Sequence, residues 1–387
     1  MLNTAFATNK TQNLSVRSQF EPLPNLRVEF NALRNYSRSF TEYFKFDTLS
    51  NSFDSFSPMT TGAFSISFMS LSTLFEPTDN RFYTSENFEN FKEYRMTIAN
   101  RFADNNPDWD GTRDSITNFP SGYGPTSQDV LISSFMAAYA GWDPQGSTLN
   151  PFLKIPIPGW RLTYDGLTRI PALQRLFQNV TISHGYRSTF NIGSFRSDIR
   201  YRDPNDGYQS VIDMASGNFV PEYEIAQVSI NEQFNPLINI DVTWQNSLLT
   251  RFEFSKSRDI ALSFANNQIT DVSSQQIIIG SGYRFRDLAF NLTQPGGSRQ
   301  RIQSDLILRL DLAFRQNRTV LRKLVEDVDQ ISAGQESVSI NASAEYQVSP
   351  RVNLRFFYDQ VINNPFVSNQ FPNTNTHAGF SMRFMLM

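Results

Sequence analysis

The sequence predicts an all-β fold, namely an antiparallel transmembrane outer-membrane β-barrel with short helical insertions. Apolar and polar residues alternate strictly along several segments, and the last residues of the chain lie inside one of them. The length of these segments is close to that of a strand that spans an outer membrane, about 9 to 11 residues. We predict about sixteen strands, which include the separate segments 249–255, 258–266, 275–285 and 287–293. No change of composition marks a linker, so residues 1–387 are treated as a single barrel segment.

The alternation assigns side chains to two surfaces, because successive residues of a strand point to opposite faces. In an outer-membrane barrel the apolar face contacts lipid and the polar face lines the lumen. The predicted lipid-facing residues are Leu306, Leu308, Leu310, Leu312, Phe314, Leu354, Phe356, Phe380 and Phe384. The predicted lumen-facing residues are Asp305, Arg309, Asp311, Arg315, Arg351, Arg355 and Arg383.

The region 76–159 breaks the period of two and is predicted to be a helical or loop insertion between strands. Ser85 is positioned to cap a helix that ends near Ala103. Thr126 with Asp129 approximates a capping box for a second helix, and Pro171 suits the first turn of a short third one. Such an insertion is too long for an ordinary turn. The sequence does not distinguish between three roles for this insertion: a lid, a plug-like element and a partner-binding site.

Two later segments, 316–335 and 360–376, are polar and are predicted to be long loops. The connection near residue 349 is predicted to be tight, because a proline there directly precedes an alternating strand. Short periplasmic turns and long extracellular loops are typical of outer-membrane barrels. The predicted asymmetry of the connections therefore favours the same fold.

Composition excludes several function classes. The chain has 34 basic and 37 acidic residues and a net charge of -3, so it lacks the electrostatic footprint of a nucleic-acid-binding protein. It contains no cysteine, which excludes disulfides and thiolate chemistry. Mean hydropathy is -0.38, and no segment approaches the roughly 20 apolar residues of a spanning helix. The N-terminal residues lack the basic and apolar regions of a secretory signal, so we expect a fragment of a longer exported protein.

No arrangement typical of an active site or a cofactor site is recognised. The two histidines, His184 and His377, lie in strand patterns, where a packed or lumen-lining role is favoured over catalysis. Asp108, Asp110 and Asp114 surround a glycine and loosely resemble a calcium loop, but the distal glutamate is absent. A solvated acidic turn is favoured there, with a weak calcium site as the alternative. We predict no catalytic, cofactor or metal residues and no enzymatic activity.

The C-terminal part, Leu354-Arg-Phe-Phe-Tyr-Asp-Gln-Val-Ile-Asn-Asn-Pro-Phe-Val-Ser-Asn-Gln-Phe-Pro-Asn373, resembles the end of the SprA (Sov) family. Further matching stretches begin at Ser183, Tyr123 and Ala333, so that the resemblance extends over nearly the whole chain. That family forms the outer-membrane translocon of the Bacteroidota type 9 secretion system and supports gliding motility. The resemblance implies that the chain is the C-terminal part of a very large single-chain barrel, like the 36-stranded one that is the largest known.

The resemblance also implies partners and a location. Its members pass folded cargo proteins that carry a C-terminal signal domain, and they associate with a PorV-like shuttle barrel and a periplasmic plug protein. The expected location is the outer membrane at the cell surface, in contact with lipid and not with nucleic acid. Two alternatives stay open on the residues alone: a self-contained porin-like or uptake barrel, and a soluble adhesin or carbohydrate-binding β-sandwich, since a sandwich also alternates.

Overall fold

The computed structural model describes residues 5–76, 82–293, 299–349, 352–368 and 370–384, and within them the chain is mainly antiparallel β-sheet. The strands are β1 (Phe6–Leu23), β2 (Leu26–Asp47), β3 (Ser52–Ser67), β4 (Gly159–Tyr164), β5 (Phe177–Ser197), β6 (Tyr223–Ile225), β7 (Gln227–Trp244), β8 (Leu248–Ser263), β9 (Gln268–Thr293), β10 (Arg299–Lys323), β11 (Val328–Ser349), β12 (Val352–Pro365) and β13 (Asn373–Phe384). The helices are α1 (Glu86–Asn105), α2 (Gln128–Ala140) and α3 (Pro171–Gln174). The prediction of a mainly antiparallel β fold with short helices is confirmed.

All the strands belong to one sheet, whose order nearly follows the chain. The path runs β1, β2, β3, β5, β7, and then β8 to β13 in sequence, with each strand antiparallel to its neighbour. The short β4 pairs with β2 and β5, and β6 pairs with β5. Strands β1 and β13 therefore form the two edges of the sheet, and no pairing between them is recorded for the described residues.

Strands β3 and β4 occupy one position in the sheet and run in the same direction. β3 pairs with the later part of β2, from Arg34 to Asp47. β4 pairs with the first part of β2, from Leu26 to Asn31. The chain leaves this position after Ser67 and returns close to it, because the Ile157 amide donates to the Ser67 carbonyl over 3.0 Å. The segment 68–158, which we call the insertion, thus interrupts a single strand and contains both α1 and α2.

The strands are fewer and longer than predicted. Thirteen strands are found in the described part of the chain, where about sixteen were expected. The predicted strands 249–255 and 258–266 form the single strand β8, and 275–285 and 287–293 form β9.

The predicted long loop at 316–335 is wrong. β10 continues to Lys323 and β11 begins at Val328, so only residues 324–327 form a turn and the rest of this segment belongs to paired strands. The connection after β12 is also shorter than the predicted 360–376, because β12 ends at Pro365 and β13 begins at Asn373.

The insertion packs on the sheet through aromatic and branched side chains. Phe88 and Phe91 of α1 and Leu131 and Phe135 of α2 share a buried cluster with sheet residues such as Phe190. α2 is buried from Val130 to Ala140, as expected for a helix enclosed on all sides. It begins at Gln128 after Ser127 without a side-chain cap, so the predicted capping box of Thr126 and Asp129 is wrong. The short helix at Pro171 is confirmed, with proline in its first turn.

Ser85 caps α1 as predicted, and its replacement by alanine should weaken the insertion. The Ser85 hydroxyl accepts from the Phe88 amide over 3.2 Å and donates to Glu76 Oε2 over 3.0 Å. Loss of a serine cap costs about 1 kcal/mol of helix stability. We therefore expect Ser85→Ala to lower the free energy of unfolding by about that amount in denaturant titrations followed by circular dichroism. Ser85→Thr retains the hydroxyl and should restore most of it, whereas equal stabilities of all three proteins would contradict the assignment.

The surface of the chain is much larger than that of a compact protein. Its solvent-accessible area is 22660 Å². A compact monomer of this mass, 44.3 kDa, exposes about 15,500 Å². The excess of about 7,000 Å² arises because large parts of the sheet are uncovered on both faces. The sheet in this form is therefore suited to contact something besides water.

Candidate functional site: the two faces of the sheet

We name the two faces by β10. The apolar face carries its even-numbered residues, such as Leu310, and the polar face carries its odd-numbered residues, such as Asp311. Residues directly opposite each other in the register share a face. The uninterrupted pairing of β8 with β9 carries this assignment across both strands without a change of side.

The end of the apolar face near Leu262 is covered by the insertion. One row across the strands consists of Phe64, Ile192, Val228, Leu262 and Ile269, and every member is buried. The adjacent row is also apolar and buried from Ile66 to Ile260. Both rows belong to the cluster formed with α1 and α2. This part of the face is thus a conventional interior, with helices packed on a sheet.

A polar belt crosses the same face beside these rows. Its first row contains Ser188, Glu232, Arg258, Ser273 and Arg318, which are opposite one another in the register. Its second row is polar across the four strands from β8 to β11 and comprises Lys256, Gln275, Gln316 and Glu336. In it Gln275 donates to Gln316, and Gln316 donates to Glu336 Oε1 over 3.4 Å. The belt separates the covered rows from what lies beyond them.

Beyond the belt the face is apolar again, and no part of the described chain covers it. The predicted lipid-facing residues lie here. Leu308, Leu310, Phe314, Phe356, Phe380 and Phe384 are 37% to 67% exposed, and Leu306, Leu312 and Leu354 are half-buried among their neighbours. Neighbouring strands continue the band with Phe252, Ile277, Ile279, Phe285 and Met382. From Leu306 to Phe314 the band is about 27 Å long along the strand, close to the roughly 25 Å apolar belt of outer-membrane barrels.

The polar face carries the predicted lumen-facing residues. Arg309, Asp311 and Arg315 lie on β10, Arg355 on β12 and Arg383 on β13. Asp305 pairs with Arg284, and the Arg315 guanidinium donates to Gln276 Oε1 over 2.7 Å. Arg355 lies opposite Glu345 in the register. Arg351 lies outside the described residues.

Hydrogen-bonded amides and hydroxyls cross the polar face from strand to strand. The Ser65 hydroxyl donates to Asn191 over 2.7 Å, Asn191 donates to Asn231 over 2.7 Å, and Asn231 donates to Asp259 over 2.6 Å. This ladder joins β3, β5, β7 and β8 directly behind the buried apolar rows. Such groups retain water on their free lone pairs, so this face is built to be wet.

A buried ionic cluster fastens the insertion to the belt. The Arg258 guanidinium lies 3.2 Å from Glu232 and donates over 2.7 Å to both the carbonyl and the hydroxyl of Thr73. Glu232 also accepts from the Tyr186 hydroxyl over 2.6 Å, and that hydroxyl accepts from the Ser70 amide over 3.0 Å. Ser70 and Thr73 belong to the insertion, whereas the other three residues belong to the sheet. Their contacts therefore fix where the insertion starts.

A second cluster repeats this arrangement toward β10. Arg322 lies 3.2 Å from Asp271 and 2.8 Å from Asp329, and it donates to the Tyr83 carbonyl over 2.6 Å. Its side chain is almost fully buried. The Lys92 ammonium of α1 lies 2.6 Å from the carboxylate of Asp327, in the turn between β10 and β11. The insertion is thus fastened to strands on both sides of β9.

These ionic residues were not predicted from the sequence. In β8 the residues Phe252, Phe254, Lys256, Arg258, Ile260 and Leu262 all lie on the apolar face. The two cations interrupt the apolar pattern, which is why two strands were expected here instead of one. A charge within an otherwise regular alternation was the available signal for a buried partner on another element.

His184 and the acidic loop that contains Asp110 and Asp114 make local hydrogen bonds and packing contacts within the chain. His184 Nδ1 lies 2.6 Å from the Leu237 carbonyl oxygen, and its ring packs near Trp160 and Phe234. Asp110 accepts from the Thr112 amide and hydroxyl, which lowers the pKa of its carboxyl. Asp114 accepts from the Thr117 amide and hydroxyl in the same way, and its pKa is lowered too. The described geometry fits the predicted solvated turn.

Asp129 gives the insertion a pH-dependent stability. Burial, and to a lesser degree the negative charge of Glu222, raises the pKa of Asp129 to about 6, against the opposing hydrogen bond from Gln209. The folded chain therefore binds this proton more tightly than the unfolded chain, whose aspartate titrates near pH 4. Stability is highest below pH 4 for this group and falls as the pH rises to about 6, by about 2 kcal/mol.

Denaturant titrations at several pH values, compared with Asp129→Asn, check this dependence. The wild-type chain should lose stability relative to Asp129→Asn between pH 4 and 6, because only the wild type must ionise a half-buried carboxyl. The difference between the two proteins isolates this residue from the other titrating groups. A difference that does not change with pH would contradict the assignment.

Within the part of the chain that the structure describes, no helix is long and apolar enough to cross a membrane. The exposed apolar band and the polar belt beside it are the main candidate site. No protein-family model and no curated protein matches the chain.

Proposed function

We propose that this chain forms part of the wall of an outer-membrane β-barrel. The observation that carries the proposal is the order of three zones along one face of the sheet. Buried rows lie under the insertion, a polar belt follows them, and an exposed apolar band lies beyond the belt. Water would disfavour such a band, and no described part of the chain covers it. Lipid would favour it, and the polar belt would then lie at the membrane surface.

The open edges of the sheet support a wall that continues. Backbone N–H and C=O groups cannot remain unpaired in hydrocarbon, so each edge strand within a membrane needs a neighbour. β1 and β13 each have one partner in the described sheet. We infer that further strands flank both of them, in agreement with a chain that is one segment of a larger barrel.

The resemblance to the SprA family supplies the finer proposal, that the larger barrel is the translocon of a type 9 secretion system. The polar face would then line a wet lumen through which folded cargo with a C-terminal signal domain passes. No chemistry on the cargo is required, and we propose no enzymatic role. A PorV-like shuttle barrel and a periplasmic plug protein are the partners this implies, in the outer membrane of a Bacteroidota-type bacterium in which gliding also depends on the system.

The two alternatives make different demands on the same surfaces. A self-contained porin-like barrel needs β1 to pair with β13, and the purified chain would then conduct ions as a closed pore. A soluble adhesin needs the apolar band to be buried against another layer, whereas the surface area and the exposure of Phe356 and Phe380 argue against this. The membrane proposal is therefore the stronger one.

Cysteine labelling tests which face contacts lipid, because the native chain contains no cysteine. In outer membranes, Leu308→Cys and Leu310→Cys on the apolar face should resist a membrane-impermeant maleimide. Arg309→Cys and Asn341→Cys on the polar face should react. Equal labelling of both faces, or the reverse pattern, would overturn the proposed orientation.

Secretion tests the finer proposal. In cells that secrete a reporter carrying a C-terminal signal domain, attachment of a bulky maleimide adduct at Asn341→Cys should reduce secretion by narrowing the lumen. The same adduct at Glu326→Cys, in the exposed turn after β10, serves as the control. Unchanged secretion despite complete labelling at Asn341→Cys would contradict a role of this face in cargo passage.

A further inference from the structure

A cavity of about 420 Å³ lies where the insertion meets the loop between β5 and β6. Residues at the ends of α1 and α2, including Asn105 and Asp129, form one wall, and residues of the loop segment from Tyr201 to Glu222 form the other. Its volume falls within the range of small-molecule pockets, about 300 to 1,000 Å³. The cavity is distant from the exposed apolar band, because β6 pairs with the end of β5 that follows Phe195.

The chemistry of the lining is acidic and aromatic. Asp129 and Glu222 provide carboxylates, while Tyr201, Tyr208 and Tyr223 provide aromatic rings. All lining residues belong to the described part of the chain, and neither lysine nor arginine is among them. The hydrogen bond recorded for the Asp129 carboxylate comes from a neutral amide, Gln209 Nε2, over 2.8 Å. The negative charge inside the cavity is thus not balanced by a cation of the lining.

The cations of the adjacent loop are engaged elsewhere. Arg200 lies 2.7 Å from Asp198 and 3.1 Å from Asp213. Arg202 donates to the backbone carbonyls of Ile199 and Tyr201. Burial and the negative charges of Glu222, Asp203 and Asp129 together raise the pKa of the Tyr201 hydroxyl to about 12. The charges that act on the Tyr201 hydroxyl at this wall are therefore those of acidic residues.

The cavity walls are held in place by the surrounding structure. The Asp203 carboxylate accepts from the amides of residues 205, 206 and 207, which closes the loop on itself. The Asn106 side chain donates to the Gln209 carbonyl over 3.0 Å and so joins the loop to the end of α1. Gln128 donates to the Tyr223 carbonyl over 2.8 Å and accepts from the Ile225 amide over 2.9 Å. Pre-formed walls reduce the entropy lost when a ligand binds.

We propose that this cavity binds one organic cation, an ammonium or guanidinium group on an alkyl chain. Carboxylates supply charge-assisted hydrogen bonds to such a group. Tyrosine rings attract it through their faces and shield it from water. The same chemistry is presented by a lysine or arginine side chain of a peptide and by a free diamine. The proposal is independent of the membrane orientation proposed above.

Calorimetric titration of the purified full-length chain in detergent micelles tests it. The probes are N-acetyl-arginine amide and N-acetyl-lysine amide for the peptide source and putrescine for the free amine. N-acetyl-glutamine amide is the neutral control, and glucose tests the carbohydrate ligand that tyrosines also suit. Saturable binding of at least one cationic probe, without binding of the neutral amide or the sugar, is the expected result.

Variants connect the binding to the cavity. Asp129→Asn and Glu222→Gln keep side-chain shape and remove the charge, so each should weaken cation binding by about tenfold or more, a loss of about 1.4 kcal/mol. Glu93→Gln removes an exposed carboxylate from α1 outside the cavity and should leave affinity unchanged, and thermal melting checks that all the proteins fold. Absence of cation binding by the folded chain, binding of glucose alone, or equal affinity in the Asp129→Asn/Glu222→Gln double variant would each overturn the proposal.

Discussion

Arg258→Met is expected to loosen the start of the insertion on the sheet and to lower the free energy of unfolding by about 3–5 kcal/mol. Arg258 is buried, and the substitution leaves the Glu232 carboxylate without its cation in the interior. It also removes both donors to Thr73. The first turn of the insertion thereby loses its attachment. Denaturant titration measures the loss, and limited proteolysis should show faster cleavage between residues 68 and 158.

Two further variants make this expectation specific. Arg258→Met combined with Glu232→Gln removes both charges and should be less destabilised than Arg258→Met alone, because no unpaired buried charge remains. Arg251→Met removes a half-exposed arginine on the polar face that pairs with Glu253 and, over 3.8 Å, with Asp241. It should change stability by about 1 kcal/mol or less. If Arg258→Met behaved like Arg251→Met, the buried cluster would not be what fixes the start of the insertion.

Leu310→Arg is the second large effect, with an expected cost of about 2–4 kcal/mol when the protein is folded in lipid vesicles. Leu310 lies near the middle of the apolar band and is exposed. In a bilayer the arginine would enter hydrocarbon, whereas in water it would simply be solvated. Reversible unfolding from vesicles measures the difference in the free energy of folding from the wild-type chain.

The matched control lies on the other face of the same strands. Asn341 is opposite Asp311 and Asp359 in the register, so Asn341→Arg places a cation between two carboxylates in a wet environment. Its cost in vesicles should be close to zero. If Leu310→Arg left the free energy of folding unchanged and Asn341→Arg reduced it, the proposed orientation would be inverted. If neither variant changed the free energy of folding, a protein that does not enter the membrane would be favoured.

The insertion lies on the same face as the exposed apolar band. In the proposed barrel this is the outer side of the wall, since the band contacts lipid and the polar face lines the lumen. The insertion would then stand beside the membrane surface, directly above the polar belt, rather than inside the pore. Of the roles left open by the sequence, a plug in the lumen is the one that this placement disfavours.

Much of the strand pattern followed from the sequence because alternation is a local property. In β10 a leucine or phenylalanine at every second position from Leu306 to Phe314 is enough to define two faces. The cap at Ser85 was equally local, because the serine hydroxyl accepts from an amide only three residues further along the chain. The capping box at Thr126 failed because Asp129 is drawn to Gln209 on a distant loop, which no local pattern reveals.

The sequence by itself therefore determined that strands with one apolar and one polar face would form, since the period of two is built into the pleated backbone. Only the tertiary structure decided how the apolar face is divided, with one part covered by the insertion and another left exposed. The division depends on contacts between residues far apart in the chain, such as Arg258 with Thr73. Those contacts form only when the interrupted strand of β3 and β4 brings the insertion back over the sheet.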